Sequence, residues 1–357
     1  MKIKSLHIED YKVFKDFDID FLDEKGEALS IVVLAGVNGS GKTTLLEYIH
    51  ETFEYDFIQL EGKILLDTSS FKDTSLPNPF EIEGHNSRTL LSKYAPEIAL
   101  NQASLFFDKI IYLSTDTTIK NIKDLMPEYL KRMVWDEDIK ASEAFERVRT
   151  SANNVFENMN LNIEFDSRDG EGNLYFRNKN SEKKFLIDAL STGEKTLMSK
   201  VLYLYLEEIT DKVILIDEPE LSLHPSWQNK VLKIYENFAK MSGCQIIIAT
   251  HSPHIIGSAK NEYLRILKKN NEGKVEVVKD LKAEGRDINS ILFDVMGEVA
   301  YRPREFDDKI DRLHIAIDDK KFDEANQRLE ELKLSYGEND AVVMEAQMLI
   351  DMFSQED

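Results

Sequence analysis

The octet Gly36-Val37-Asn38-Gly39-Ser40-Gly41-Lys42-Thr43 matches the spacing G-x-x-x-x-G-K-[ST] without a gap. Glycines so placed let successive backbone N–H groups turn inward around a polyphosphate, and a helix start behind them adds partial positive charge. Asn38, Gly39, Ser40 and Gly41 would line that cradle, Lys42 would reach the outer phosphate oxygens and Thr43 would hold Mg²⁺. Thr44 falls in the same first helical turn. A second candidate is the pair Asp217 and Glu218, which closes the apolar run Val213 to Ile216. Carboxylates at the C-terminal end of a buried strand stand where an α/β sheet receives its ligand. Asp217 is then the Mg²⁺-linked carboxylate and Glu218 the group that polarises an attacking water, the plainer alternative being an acidic strand end facing solvent. Together the two segments call for ATP and Mg²⁺.

These residues need a sheet to hold them. Ile31 to Leu34, Val213 to Ile216 and Ile246 to Ile248 are unbroken apolar runs, as expected of strands buried on both faces of a mainly parallel central sheet. Phe17, Ile19 and Phe21 alternate with Asp16, Asp18 and Asp20, the period of an antiparallel edge strand with one wet face. The span of about 52–108, with Pro77, Pro79 and Gly84 among many Ser and Thr residues, reads as a loop-rich insertion. A helical lobe from about Asp124 to Met159 and a β meander through Asn162 to Phe165, Leu174 to Arg177 and Phe185 to Ile187 fill about 116–189. Beyond Pro303, Ile310, Leu313, Ile315 and Ile317, then Ala325, Leu329 and Leu332, recur in a helical series. Gly337 breaks it, and Asn339 or Asp340 can cap a last helix from Val342 to Met352. The expected organisation is an α/β head over 1–300 and a helical appendage over 301–357.

The 357 residues are 42% hydrophobic and carry a formal net charge of -21. That charge opposes non-specific binding to nucleic acid, so any DNA contact is expected to be local or supplied by a partner. The lone Cys244 makes no internal disulfide and reads as a small core residue. No run approaches the ~18 apolar residues of a membrane span. Met1-Lys2-Ile3-Lys4 leads into a strand pattern, not a signal peptide, and a cytoplasmic location is expected.

A third motif narrows the class. Leu190-Ser191-Thr192-Gly193-Glu194 resembles the signature of ABC-type ATPases in the LSxGE form of the RecF and SMC-like branch. Ser191 and Glu194 stand in the S-x-x-E relation of a capping box that opens a helix carrying Leu197, Met198, Val201, Leu202 and Leu204. The resemblance implies that Ser191 and Gly193 meet the γ-phosphate of ATP held by a second copy, hence a head-to-tail homodimer. It also makes Pro219 to Pro225 the stretch that crosses the dimer interface and His251 the switch histidine, while His224 and His254 read as structural or interfacial. Thr192 replaces the usual second glycine. The family's loop glutamine has no clear counterpart: Ser114 and Thr115 follow the run Lys109 to Leu113, and Gln102 comes too early. Tyr11 or Phe14 could stack on adenine or belong to the core.

Within this branch, the gap between phosphate loop and signature is too short for the long coiled coil of a zinc-hook repair protein. A transporter head would carry the stricter signature, the segment of this sequence after His251, helical tail included, is expected to be too short for a Toprim domain, and no HNH-like arrangement is evident. The LSTGE signature, Asp217 to Pro225, Gly285 to Leu292 and the helices after Arg302-Pro303 resemble the PtuA family, ATPase subunits of Septu-type and retron-associated anti-phage systems. That resemblance implies a separate HNH nuclease of PtuB type as partner. A RecF-like DNA-repair ATPase and a nucleotide-gated clamp with little turnover are the alternative readings.

Overall fold

A computed structural model of the chain describes residues 1–54, 61–70, 78–83, 109–114, 122–158, 162–169, 173–180, 183–190, 192–207, 209–221, 223–278, 281–297, 304–338 and 340–353. The hairpin β1 (Lys2–Tyr11) and β2 (Phe14–Asp20) precedes β3 (Ile31–Ala35) and α1 (Lys42–Glu54). β4 (Gly62–Asp67), β5 (Phe80–Glu83) and β6 (Ile110–Leu113) come next, then α2 (Ile122–Trp135) and α3 (Ala141–Asn158). The short strands β7 (Ile163–Arg168), β8 (Leu174–Asn178) and β9 (Lys184–Leu186) lead towards α4 (Thr192–Leu206). β10 (Val213–Asp217), α5 (Pro225–Ser242), β11 (Gln245–Thr250), α6 (Pro253–Ser258), β12 (Leu264–Lys269), β13 (Val275–Val278) and α7 (Ile288–Asp294) follow. All of these belong to one compact unit, Met1–Gly297. A second, Glu298–Asp357, holds α8 (Arg304–Asp318), α9 (Phe322–Tyr336) and α10 (Ala341–Phe353).

The unbroken apolar runs lie side by side in the sheet β13-β12-β3-β11-β10-β6, where every pairing except β12 with β13 is parallel. Side chains on a strand alternate between faces, so a run without polar residues must have both faces covered. Ile31, Val33, Ile214, Ile216, Ile246 and Ile248 enter one core, shared with residues of α2 to α5. Their neighbours Val32, Leu34, Val213, Leu215, Ile247 and Ala249 enter another, shared with α1 and the sheet β2-β1-β4-β5. In that second sheet β2 is an edge strand whose Phe14, Phe17 and Ile19 point inward. The meander β7-β8-β9 docks on α3 through Phe156, Phe165 and Phe176, and Asn153 accepts a 2.6 Å hydrogen bond from the Phe165 N–H.

The span of about 52–108, expected to be loop-rich, contains β4 and β5, and its first residues complete α1. The strands escape notice because each buries few residues, Ile64 and Leu66 in β4, Phe80 and Ile82 in β5, and gains its regularity from pairing with β1 and with each other. The rest of that span lies outside the described residues.

One polar side chain joins the two sheets. Gln245, fully buried at the start of β11, accepts from the Ile3 N–H at 2.7 Å and donates to the carbonyls of Ile3 and Leu29, both at 2.9 Å. Gln245→Leu keeps the bulk but removes all three bonds. At about 1 kcal/mol or more for each buried group left unpaired, this variant is expected to lose about 3 kcal/mol of unfolding free energy. A urea titration followed by circular dichroism reads that loss as a lower midpoint at unchanged slope.

In the second unit, Phe306, Ile310, Leu313 and Ile317 of α8, Ala325, Leu329 and Leu332 of α9, and Val343, Ala346 and Ile350 of α10 form a separate core. Ile315, read as part of the apolar series, is instead exposed, because it is out of phase with that stripe. Asp340 caps α10 by accepting from the Val342 N–H at 3.0 Å; Asn339 lies outside the described residues. No helix among the described residues is long and apolar enough to cross a membrane.

Candidate functional site

The loop between β3 and α1 is wound tightly enough to require its glycines. Gly36 has φ 146° and Gly41 φ 99°; a Cβ on Gly36 would lie 2.4 Å from the Leu267 carbonyl oxygen, and one on Gly41 would lie 3.0 Å from the Phe14 ring. The Ser40 hydroxyl is buried and has no partner among the described residues. Lys42, 5% exposed, folds back so that its ammonium donates to the carbonyls of Gly36 at 2.8 Å and Val37 at 3.0 Å. Burial lowers its pKa, against the attraction of Glu218, Asp217 and Glu220. A cradle that a Cβ would fill, an orphaned hydroxyl at its wall and a dehydrated ammonium at its base fit a polyphosphate.

The parallel register of β3, β11 and β10 brings the acidic strand end beside this loop. The Thr43 hydroxyl donates to Asp217 Oδ1 at 3.2 Å, joining the two residues expected to share Mg²⁺. Asp217 is only 3% exposed; burial raises its pKa, with Glu218 and Glu220 adding to the rise and Thr43 and Lys42 opposing it. Lys42 thus feels three carboxylates, and Lys200 two of them, Asp217 and Glu220, an excess of negative charge that suits a divalent cation. Glu218 adopts φ 44°, a left-handed conformation uncommon outside glycine, as the chain turns sharply out of β10. Its Oε1 stands 3.0 Å from His251 Nδ1. A carboxylate beside a partly exposed imidazole can accept a proton and be held in position while it does so.

Of the other expected residues, Asn38, Gly39 and Thr44 lie in the loop and the first turn of α1, next to Lys42 and Thr43. Gly193 falls in the first turn of α4, whereas Ser191 and Gln102 lie outside the described residues. His224 is the N-cap of α5 and accepts from the Ser226 N–H at 3.3 Å, a structural role. Phe14 is fully buried beneath the loop. Tyr11 donates to Glu51 at 2.7 Å and stands edge-on to Tyr48, so its ring is already engaged. Glu220 and Lys200, both buried at this site, are not among the residues expected from the motifs. Their only signals were a third carboxylate after Asp217 and Glu218, and a lysine within the apolar run of α4.

A family model described as "AAA domain, putative AbiEii toxin, Type IV TA system" matches residues 48–257. The matched span begins inside α1, so the phosphate loop rests on its own residues. Over 343 residues the chain is 24% identical to the Septu protein PtuA of Bacillus thuringiensis, covering 83% of this chain and 84% of that protein. Over 151 residues it is 30% identical to the probable ATPase of retron Ec83 from Escherichia coli, which takes in 41% of this chain but only 26% of that larger protein. The head domain of an SMC protein, solved with the winged-helix domain of ScpA, superposes with a TM-score of 0.51 at 13% identity, covering 80% of this chain and 98% of that one. That likeness shows a common fold, an α/β head like that of SMC proteins.

Proposed function

The chain belongs to this AAA domain family, whose model spans more than half of it, and from that premise we propose that it is the Mg·ATP-hydrolysing subunit of an anti-phage defence system. Two copies close around the nucleotide and govern a separate HNH nuclease of PtuB type in the cytoplasm. The observation that carries this reading is the continuous set Lys42, Thr43, Asp217, Glu218 and His251 at one end of the central sheet. ATP with Mg²⁺ supplies the scissile phosphoryl bond. The loop amides and Lys42 bind the phosphates, Thr43 and Asp217 hold Mg²⁺, and Glu218 takes the proton of the attacking water. His251 orients Glu218, and Ser191 and Gly193 act on the nucleotide of the opposite copy.

The defence role is supported by the two relatives, one a Septu protein and one a retron ATPase. The -21 charge argues against a RecF-like DNA-repair ATPase acting alone. The paired Glu218 and His251 favour turnover over a gated clamp. The purified chain is expected to release phosphate only with Mg²⁺ present, and to co-purify with an HNH protein from its native host. Deletion of residues 303–357 is expected to abolish that recruitment while phosphate release continues. Recruitment that survives the deletion places the nuclease contact on the head; a chain that recruits no nuclease refutes the partner.

A further inference from the structure

Glu220 falls in the stretch that the family resemblance assigns to the dimer interface, yet its side chain turns back into its own chain. It is 5% exposed, and its Oε1 collects hydrogen bonds from three successive residues at the end of β11. The donors are the Thr250 hydroxyl at 2.5 Å, the His251 N–H at 3.0 Å and the Ser252 N–H at 3.1 Å. The same oxygen stands 3.7 Å from His251 Nδ1, so the imidazole sits between two carboxylates and bonds to that of Glu218 at 3.0 Å. Beyond it the segment is pinned again: the Ser252 hydroxyl donates to Gln228 Oε1 at 2.6 Å and caps α6 by accepting from the Ile255 N–H at 3.3 Å.

We propose that Glu220 is the positioning residue of the switch, holding Thr250 to Ser252 so that His251 meets Glu218. The inference rests on reading Glu218 and His251 as the hydrolytic pair. A buried carboxylate persists only where charge and hydrogen bonds offset its lost hydration. The hydrogen bonds all fall on Oε1; Oε2 is buried with no hydrogen-bond partner among the described residues. The compensating charge comes from Lys42 and from Lys200, which is 8% exposed on α4. Burial weakens the Lys200 ammonium while Asp217 and Glu220 strengthen it, so this helix and the switch share one buried electrostatic cluster. Neutral apolar residues would fill the space more stably, and what the carboxylate adds is one fixed place for three backbone positions.

Glu220→Gln keeps an oxygen acceptor for those three donors, whereas Glu220→Ala removes it. Misplacing a catalytic group by about 1 Å costs roughly a hundredfold in rate, so Glu220→Ala is expected to lower kcat by about that factor with KM for ATP within about threefold of wild type. Glu220→Gln is expected to recover at least about tenfold of the loss. In the nucleotide-free protein, the ring ¹⁵N shifts of His251 should report its bond to Glu218 in wild type and Glu220→Gln, and lose it in Glu220→Ala. Wild-type shifts or wild-type kcat in Glu220→Ala overturn the proposal. If Glu220→Ala does not fold, a Glu220→Gln variant with no measurable turnover and displaced ring shifts overturns it. A wild-type chain that binds ATP without releasing phosphate instead refutes the hydrolytic reading, and the ring shifts then decide the positioning alone.

Discussion

Lys42→Met is expected to weaken ATP binding by about a hundredfold or more and to remove a pH-dependent contribution to the stability of the nucleotide-free chain. In the chain as it stands the ammonium is dehydrated, bonded to the carbonyls of Gly36 and Val37, and its pKa is pushed below the ordinary 10.5 by that burial. Transferring those donors to phosphate oxygens replaces neutral acceptors with charged ones. Charge-assisted bonds of this kind contribute about 1.5 to 3 kcal/mol each, and about 3 kcal/mol corresponds to a little over a hundredfold in Kd. Methionine keeps the aliphatic stem in its slot and removes a charge that burial disfavours. The pH dependence has a definite sign. Between the lowered folded value and 10.5 the unfolded chain binds the proton that the native chain has released, so wild-type stability rises with pH across that window. Lys42→Met lacks this rise, and any stability advantage it holds at neutral pH shrinks towards pH 10.5. Calorimetric titration with Mg·ATP and thermal melts at neutral and alkaline pH check both halves. Wild-type affinity in Lys42→Met would mean that the loop does not hold phosphate.

Most of this site could be read from residue types because the chemistry constrains them locally. Phosphate wrapping needs glycine at fixed steps and a lysine and hydroxyl at the helix start, so the role proposed for Gly36 to Thr43 can be read within eight letters. The central strands were legible for the same local reason, since Val213 to Ile216 has no polar residue to give to solvent. What was hidden depends on distant partners. β4 becomes a strand by pairing with β1, some sixty residues earlier in the chain, and an alternation as short as its own does not separate it from a loop. Glu220 looks like a charge on a turn until β11 presents three donors to it from thirty residues away. Lys200 sits among Leu197, Met198 and Val201 and is explained only by the carboxylates that β10 and its following turn bring near it. Phe14 illustrates the reverse. An aromatic residue beside the loop invites a stacking role, yet its position under Gly41 makes it the floor on which the loop is built.

Glu218→Gln is expected to separate closing from turnover. The change is nearly isosteric: an amide oxygen can still face His251, and the left-handed turn at Glu218 depends on the backbone, whose N–H donates to the Ala249 carbonyl at 2.9 Å in either variant. What glutamine cannot do is take a proton from water, and removing a general base slows reactions by about a hundredfold to ten-thousandfold. Nothing in the phosphate cradle or in the bond between Thr43 and Asp217 is touched, so the affinity for Mg·ATP should stay within about threefold of wild type. If the signature of one copy closes on the nucleotide of the other, a variant that binds without turning over accumulates the closed pair. Light scattering should then show a species of twice the 41.2 kDa monomer mass that forms with Mg·ATP, disperses on chelation and outlasts the wild-type one. A Glu218→Gln chain that releases phosphate at the wild-type rate would move the general base elsewhere. A chain that binds Mg·ATP yet stays monomeric in both forms would refute the trans role of Ser191 and Gly193 and leave the roles proposed for Glu218 and His251 to be played within one copy.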